Sequence, residues 1–129
     1  MIQKLGQVMV YVDDQEGAVQ FWTEKAGFTV IADERSEELG FRWVEIAPSK
    51  DSATTIVLHD KEAVSKMSPD LHLGTPSLMF YADGVEQLYA DWKRRGVTTG
   101  ELVEMPTGKV FNFADDEGNY FAVMERTKA

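Results

Sequence analysis

One sequence phrase occurs twice in this chain, and that duplication restricts the fold more than any other feature. The first copy begins at residue 7 as QVMVYVDDQEGAVQFWTEKAGF, and the second begins at residue 77 as SLMFYADGVEQLYADWKRRGV. The aligned pairs keep both residue type and order: Met9 and Met79, Tyr11 and Tyr81, Asp13 and Asp83, Glu16 and Glu86, Trp22 and Trp92, and, after one deleted residue, Gly27 and Gly96. An internal repeat of this length predicts two copies of one supersecondary unit.

Each copy contains the same succession of local signals. QVMVYV is rich in β-branched and aromatic residues, which predicts a strand. Asp13 or Asp14 can cap the helix that follows, and apolar residues then recur at helical spacing. Gly27 and Gly96 stand where each helix should end. We therefore predict a strand and then a helix in each copy, with the two repeated tryptophans as core residues.

Three further strands are predicted after each helix. In the first half they lie near FTVIADE, FRWVEIA and TTIVLHD, and in the second near ELVEM, KVFNFAD and YFAVMER. The fold class is therefore α+β, with two β-α-β-β-β modules in one domain over residues 1–129. Module 1 covers about residues 4–60 and module 2 about residues 76–126. A linker over about residues 61–75, which begins with a short helix, joins them.

Composition excludes several classes of protein. The 129 residues include no cysteine, so disulfides and thiolate metal sites are excluded. The formal net charge of −9 argues against binding to nucleic acid, whose phosphates repel an acidic surface. No apolar stretch approaches the roughly 20 residues of a membrane span. The N-terminal MIQKLGQ lacks the apolar segment of a secretory signal, so we expect a cytoplasmic protein without membrane partners.

The phrase VYVDD…A..FW…GF within paired β-α-β-β-β modules resembles the vicinal oxygen chelate superfamily. That superfamily includes glyoxalase I, extradiol dioxygenases and the fosfomycin- and bleomycin-resistance proteins. The resemblance extends from about Gly6 to Glu125. It implies a glyoxalase/bleomycin resistance fold in which the sheets form a cup. It implies little about chemistry, because one fold supports many functions.

Metal-dependent members of the superfamily typically take two ligands from each module, at the start of the first strand and in the last strand. Carried over to this sequence, those four positions are Gln7, Val57, Ser77 and Ala122. Val57 and Ala122 have no donor atom, and Ser77 is a weak ligand. The resemblance therefore implies a member without the usual metal site, so we expect no cofactor.

Other residues could restore a metal site in principle. His59 lies two residues after Val57 in the same predicted strand, and Glu45 lies in FRWVEIA. Together with Gln7 they could bind divalent nickel, manganese, iron or zinc. In a competing alignment Glu45 replaces Val57 as the ligand position, but TTIVLHD then has no counterpart in module 2. The simpler interpretation places His59 at a rim or interface and Glu45 in a polar part of the cavity or on the surface.

Alternation along the strands predicts which side chains line the cleft. Gln7, Met9 and Tyr11 share one face of the first strand, and the valines between them share the other. The repeat adds the matching residues of module 2. The full predicted lining is Gln7, Met9, Tyr11, Trp43, Glu45, Val57, His59, Ser77, Met79, Tyr81, Phe111, Tyr120 and Ala122. Such a lining suits a small organic molecule. It is equally compatible with packing at a module or dimer interface.

Two functions follow from the resemblance. A metal-free cleft would bind or sequester a small molecule of aromatic or cationic character, as bleomycin-resistance proteins do, and a homodimer is then expected. The alternative is a metal-dependent glyoxalase-like lyase or a dioxygenase, whose chemistry depends on the metal as a Lewis acid or oxygen activator. A third possibility is an accessory protein that acts through its dimer surface. The residues that would catalyse a reaction are not identifiable, so enzyme activity stays open.

Overall fold

The computed structural model describes residues 1–126, and the chain folds into two compact units. Unit 1 is Met1–Pro76, and unit 2 begins at Ser77. The segment predicted as a linker lies within unit 1, and it begins with a helix, as expected. The domain prediction extended to residue 129, and its last three residues lie outside the described residues.

Unit 1 contains a four-stranded mixed sheet with two helices. Its elements in chain order are β1 (Gln7–Val12), α1 (Gln15–Gln20), β2 (Thr29–Ser36), β3 (Phe41–Ala47), β4 (Thr55–Asp60) and α2 (Lys61–Met67). A π-helical turn, Phe21–Lys25, continues α1. The strand order is β1-β4-β3-β2, with β1 parallel to β4 and the other pairs antiparallel. The Asp14 carboxylate caps α1 by accepting a hydrogen bond from the Gly17 amide.

Unit 2 repeats this arrangement. Its elements are β5 (Met79–Ala82), α3 (Val85–Arg94), β6 (Thr98–Thr99), β7 (Val103–Met105), β8 (Gly108–Ala114) and β9 (Tyr120–Glu125). The order is β5-β9-β8-β6, and β5 is parallel to β9. The single strand expected near ELVEM is divided into β6 and β7, which both pair with β8. The division lies near Gly100, whose amide donates a hydrogen bond to the carbonyl of Asn112.

Each unit has a core between its sheet and the helix of the repeated phrase. That helix is α1 with its π-helical turn in unit 1 and α3 in unit 2. Trp22 is fully buried in unit 1, and Trp92 is buried in unit 2, as the repeat predicted. Gly27 and Gly96 both have positive φ, the conformation that ends a helix most easily at glycine. In unit 1 the buried strand residues on this side are Val10, Val12, Val44, Ile46, Ile56 and Leu58. The side of each sheet away from its helix is hereafter called the open face.

Candidate functional site

Strand register brings together most of the predicted cleft residues of unit 1. Across the β1–β4 pair, Gln7 lies opposite Thr55, Met9 opposite Val57 and Tyr11 opposite His59. Strand β3 adds Glu45 to the same face, because Glu45 lies opposite Val57 on the other side of β4. Trp43 is two residues before Glu45 and shares its face. On β1, β3 and β4 the unit 1 open face therefore consists of Gln7, Met9, Tyr11, Phe41, Trp43, Glu45, Thr55, Val57 and His59. On β2 it continues with Ala32, Glu34 and Ser36.

His59 lies at the centre of an aromatic cluster on this face. Its ring stacks on Tyr11 at 5.8 Å between centroids, and it contacts Phe41 at 5.6 Å and Trp43 at 5.3 Å. The Sδ of Met9 is 3.2 Å from His59 Nε2. His59 is only 7% exposed, which contradicts a place at an exposed rim, and its predicted place at an interface stays a prediction. Burial lowers the pKa of His59, because desolvation disfavours the imidazolium.

Phe41 is a member of this cluster that the sequence interpretation did not include. It begins β3 and lies opposite Ser36 in the β2–β3 pair. Its position two residues before Trp43, on the same face, was the available signal. Phe41 and Trp43 also form part of a surface cavity of about 330 Å³, which Glu34, Arg35 and Ser36 complete. The aromatic cluster therefore borders an open cavity.

Glu45 is a partly buried carboxylate with a defined partner. Its Oε2 accepts a hydrogen bond of 2.7 Å from the hydroxyl of Thr55. Thr55 lies opposite Gln7, so an amide, a hydroxyl and a carboxylate occur next to one another at this end of the sheet. The prediction for Glu45, a polar part of the cavity or the surface, stays a prediction. It offers hydrogen-bonding groups to a ligand beside the aromatic cluster.

Unit 2 has an open face that corresponds position by position. Met79 lies opposite Ala122, and Tyr81 lies opposite Met124. A cavity of about 280 Å³ at one end of this face is lined by Ser77, Leu78, Asn112, Tyr120, Phe121 and Ala122. The large side chains here are more accessible than in unit 1, with Met79 47%, Tyr81 62% and Tyr120 59% exposed. The predicted cleft residues of this unit, apart from Phe111, are thus on one accessible face.

Phe111 does not belong to the open face, and this corrects the prediction. It is 1% exposed, and its ring packs against Tyr89 and Trp92 of α3. Its neighbour Asn112 lies opposite Ala122 and takes the open position instead. The sequence interpretation placed Phe111 in the cleft because its strand matches the one that carries Trp43 and Glu45 in module 1. Two phenylalanines flank Asn112 in β8, and that apolar alternation was the signal for the helix side.

The two last-strand positions that the resemblance assigned to metal ligands, Val57 and Ala122, are equivalent in the two units. Met9 lies opposite Val57 and Met79 opposite Ala122, in agreement with the alignment of TTIVLHD with YFAVMER. The neighbours of Val57 across the sheet are a thioether and one carboxylate, a donor set too small for an octahedral ion. Among residues 1–126, no group of three or more His, Cys, Asp or Glu residues could hold a metal ion. These residues do not fit the superfamily's metal, and a metal-free site stays a prediction for titration to test.

No helix in the part of the chain that the structure describes is long and apolar enough to cross a membrane.

Comparison with known proteins identifies the family. The sequence profile of the Glyoxalase/Bleomycin resistance protein/Dioxygenase superfamily matches residues 4–123. YetH of Bacillus subtilis (strain 168) is 37% identical over 126 residues, which are 97% of this chain and 100% of YetH. TnmS3, an antibiotic binding protein from Streptomyces sp. CB03234, is 30% identical with a TM-score of 0.81, over 98% of both chains. A glyoxalase/bleomycin resistance protein from the same organism is 30% identical with a TM-score of 0.75, over 94% of this chain and 99% of that one. The chain belongs to the Glyoxalase/Bleomycin resistance protein/Dioxygenase superfamily.

Proposed function

We propose that this protein binds and sequesters a small aromatic molecule at its open faces without a metal. The observation that carries the proposal is the cluster of Tyr11, Phe41 and Trp43 around His59, next to an open cavity. Aromatic walls with a few polar groups are typical of small-molecule sites. The carboxylate of Glu45 and the hydroxyl of Thr55 supply polar groups nearby.

The similarity to an antibiotic binding protein supports the same class of function. TnmS3 is named for antibiotic binding, and its identity to this chain extends over almost the whole length of both. We propose that the ligand here is likewise an organic compound and not a nucleic acid, since the net charge is −9. A homodimer is part of the proposal, and sedimentation equilibrium would measure the mass of the particle.

A two-part binding experiment tests this function. Chelator-stripped protein is titrated calorimetrically with Ni(II), Mn(II), Fe(II) and Zn(II), and it is also screened by thermal shift against aromatic compounds. We expect no metal binding at micromolar concentration and a rise in Tm with some of the compounds. Tight binding of one metal ion per chain would contradict the proposal and favour the lyase or dioxygenase alternative.

Substitution of Trp43 tests whether the ligand binds in the cavity that this side chain lines. Trp43→Leu should reduce the Tm rise given by an active compound, because the indole forms a wall of the cavity and contacts the aromatic cluster. Leu71→Ala serves as the matched control, since Leu71 is 50% exposed and is not among the residues that line that cavity. An equal Tm rise in Trp43→Leu and in the control would place the ligand elsewhere.

A further inference from the structure

The imidazole of His59 has one ring nitrogen without a hydrogen-bond partner. Nδ1 is buried, and none of the residues that the structure describes donates to it or accepts from it. A buried polar atom in this state is costly, because it has lost its bonds to water and gained none. Native proteins rarely keep such an atom without a reason, and one such reason is a ligand that completes the bond.

The other ring nitrogen shows which kind of bond is missing. His59 Nε2 lies 3.2 Å from the Sδ of Met9. A thioether sulfur has no hydrogen to give and is a weak acceptor, so the hydrogen of the neutral ring is on Nε2. Nδ1 then carries a lone pair. Burial lowers the pKa of His59, which favours this neutral form. The missing partner is therefore a hydrogen-bond donor.

The surroundings of His59 disfavour a charged donor and suit an aromatic frame. The ring centroids of Tyr11, Phe41 and Trp43 lie between 5.3 and 5.8 Å from that of the imidazole. An ammonium donor would bring a charge into this apolar cluster, at a high desolvation cost. A hydroxyl on an aromatic ring brings no charge, and its frame can stack on the cluster.

The neighbouring cavity lies next to the side chains that cover His59. Phe41 and Trp43 line the cavity of about 330 Å³, and both of their rings also contact His59. A ligand in that cavity is therefore separated from the imidazole by these two side chains, and a hydrogen bond to Nδ1 would require one of the two rings to move aside.

We propose that the ligand is a hydroxylated aromatic compound of the phenol class, whose O–H donates a hydrogen bond to Nδ1 of His59. This inference rests on the proposed function and adds the chemical class of ligand and the residue that selects it. His59 acts as the selecting residue because a lone pair buried among apolar rings rejects aromatic compounds that have no donor.

Two matched probes test the inference on the intact protein. 2-Naphthol carries the donor, and 2-methoxynaphthalene has the same frame without it. We expect 2-naphthol to bind about tenfold more tightly, which corresponds to one hydrogen bond. 2-Naphthol should shift the ¹⁵N resonance of His59 Nδ1 further than 2-methoxynaphthalene does, because only its hydroxyl donates a hydrogen bond to that nitrogen. His72 is the internal reference, because it is exposed and its Nδ1 already accepts from the Gly74 amide.

Substitutions at His59 separate the hydrogen bond from the packing. His59→Asn places an amide oxygen near the position of Nδ1 and should keep the preference for 2-naphthol. His59→Phe keeps a ring without an acceptor, so the two probes should bind equally. His72→Asn should behave as the unsubstituted protein does. Near-ultraviolet circular dichroism checks folding, and the ¹⁵N measurement decides the question if His59→Phe does not fold.

The outcomes distinguish this inference from the function on which it rests. Equal binding of both probes to the unsubstituted protein would overturn the role of His59 and leave the small-molecule function in place. A tenfold preference that persists in His59→Phe would do the same. Absence of binding of either probe at millimolar concentration, in a protein that also gives no thermal shift with other aromatic compounds, would overturn both.

Discussion

The hydroxyl of Thr55 donates a hydrogen bond of 2.7 Å to Oε2 of Glu45, diagonally across the β3–β4 pair. This bond gives the partly buried carboxylate of Glu45 a hydrogen-bond donor. Thr55→Val should lower the free energy of unfolding by about 1 kcal/mol, because the carboxylate loses its donor while the β-branched shape is kept. Urea denaturation measures the change. Thr55→Ser keeps the hydroxyl and is the control, so equal losses in both variants would contradict the prediction.

The two sides of β8 should respond differently to truncation. Phe111→Ala should cost about 3–5 kcal/mol, because it leaves a cavity against Tyr89 and Trp92. Asn112→Ala, one residue further on the open face, should change stability by no more than about 0.5 kcal/mol. Chemical denaturation of both variants measures the difference. A small effect at Phe111 would mean that it lies on the open face after all, as the sequence had suggested.

Gly108 should not tolerate a side chain. Its φ is +138°, and a Cβ there would lie 2.7 Å from the carbonyl oxygen of Glu125. Gly108→Ala should therefore cost about 1–3 kcal/mol through backbone strain and steric conflict. Gly100→Ala is the control, because a Cβ at Gly100 would lie 3.7 Å from the carbonyl oxygen of Asn112, which is an ordinary contact distance. Thermal unfolding measures both variants, and similar Tm values would argue against the strain.

His59 should make stability depend on pH below neutrality. Burial lowers its native pKa below the unfolded value of about 6.5. The unfolded chain therefore binds the proton first as the pH falls. The contribution of neutral His59 to the free energy of unfolding is complete above about pH 6.5. It is lost as the pH falls from there through the lower native pKa. Desolvation is the cause of the shift. The other titratable groups on the unit 1 open face are Tyr11 on β1, Glu34 on β2 and Glu45 on β3.

Unfolding free energies at about pH 7.5 and about pH 5.0, on either side of the unfolded pKa, measure this effect. His59→Asn removes the titrating ring, so its loss of stability between the two pH values should be smaller than that of the unsubstituted protein. His72→Asn should show the unsubstituted behaviour, because His72 is exposed. An identical pH dependence in all three proteins would mean that other groups cause the acid destabilisation.

Local sequence patterns determined most of the secondary structure. The duplicated phrase placed a strand and a helix in each unit, and period-2 alternation assigned Met9 and Tyr11 to the face opposite Val10 and Val12. The alignment of Val57 with Ala122 also follows from the repeat, and the strand registers agree with it. The strand and helix assignments depend on residues near one another in the chain, where periodicity and turn residues have direct physical consequences. The alignment of Val57 with Ala122 depends on comparison of the two copies.

Tertiary structure decided which face each residue joins and what surrounds it. Alternation in β8 puts Phe111 and Asn112 on opposite faces and favours the helix side for the two phenylalanines, and the contact of Phe111 with Trp92 of α3 fixes that assignment. His59 and Phe41 are far apart in the chain, and their contact exists because β3 and β4 pair antiparallel. A one-residue change of register would send these side chains to the opposite face. The burial of His59 and its unsatisfied nitrogen therefore arise from strand pairing, which the local sequence does not encode.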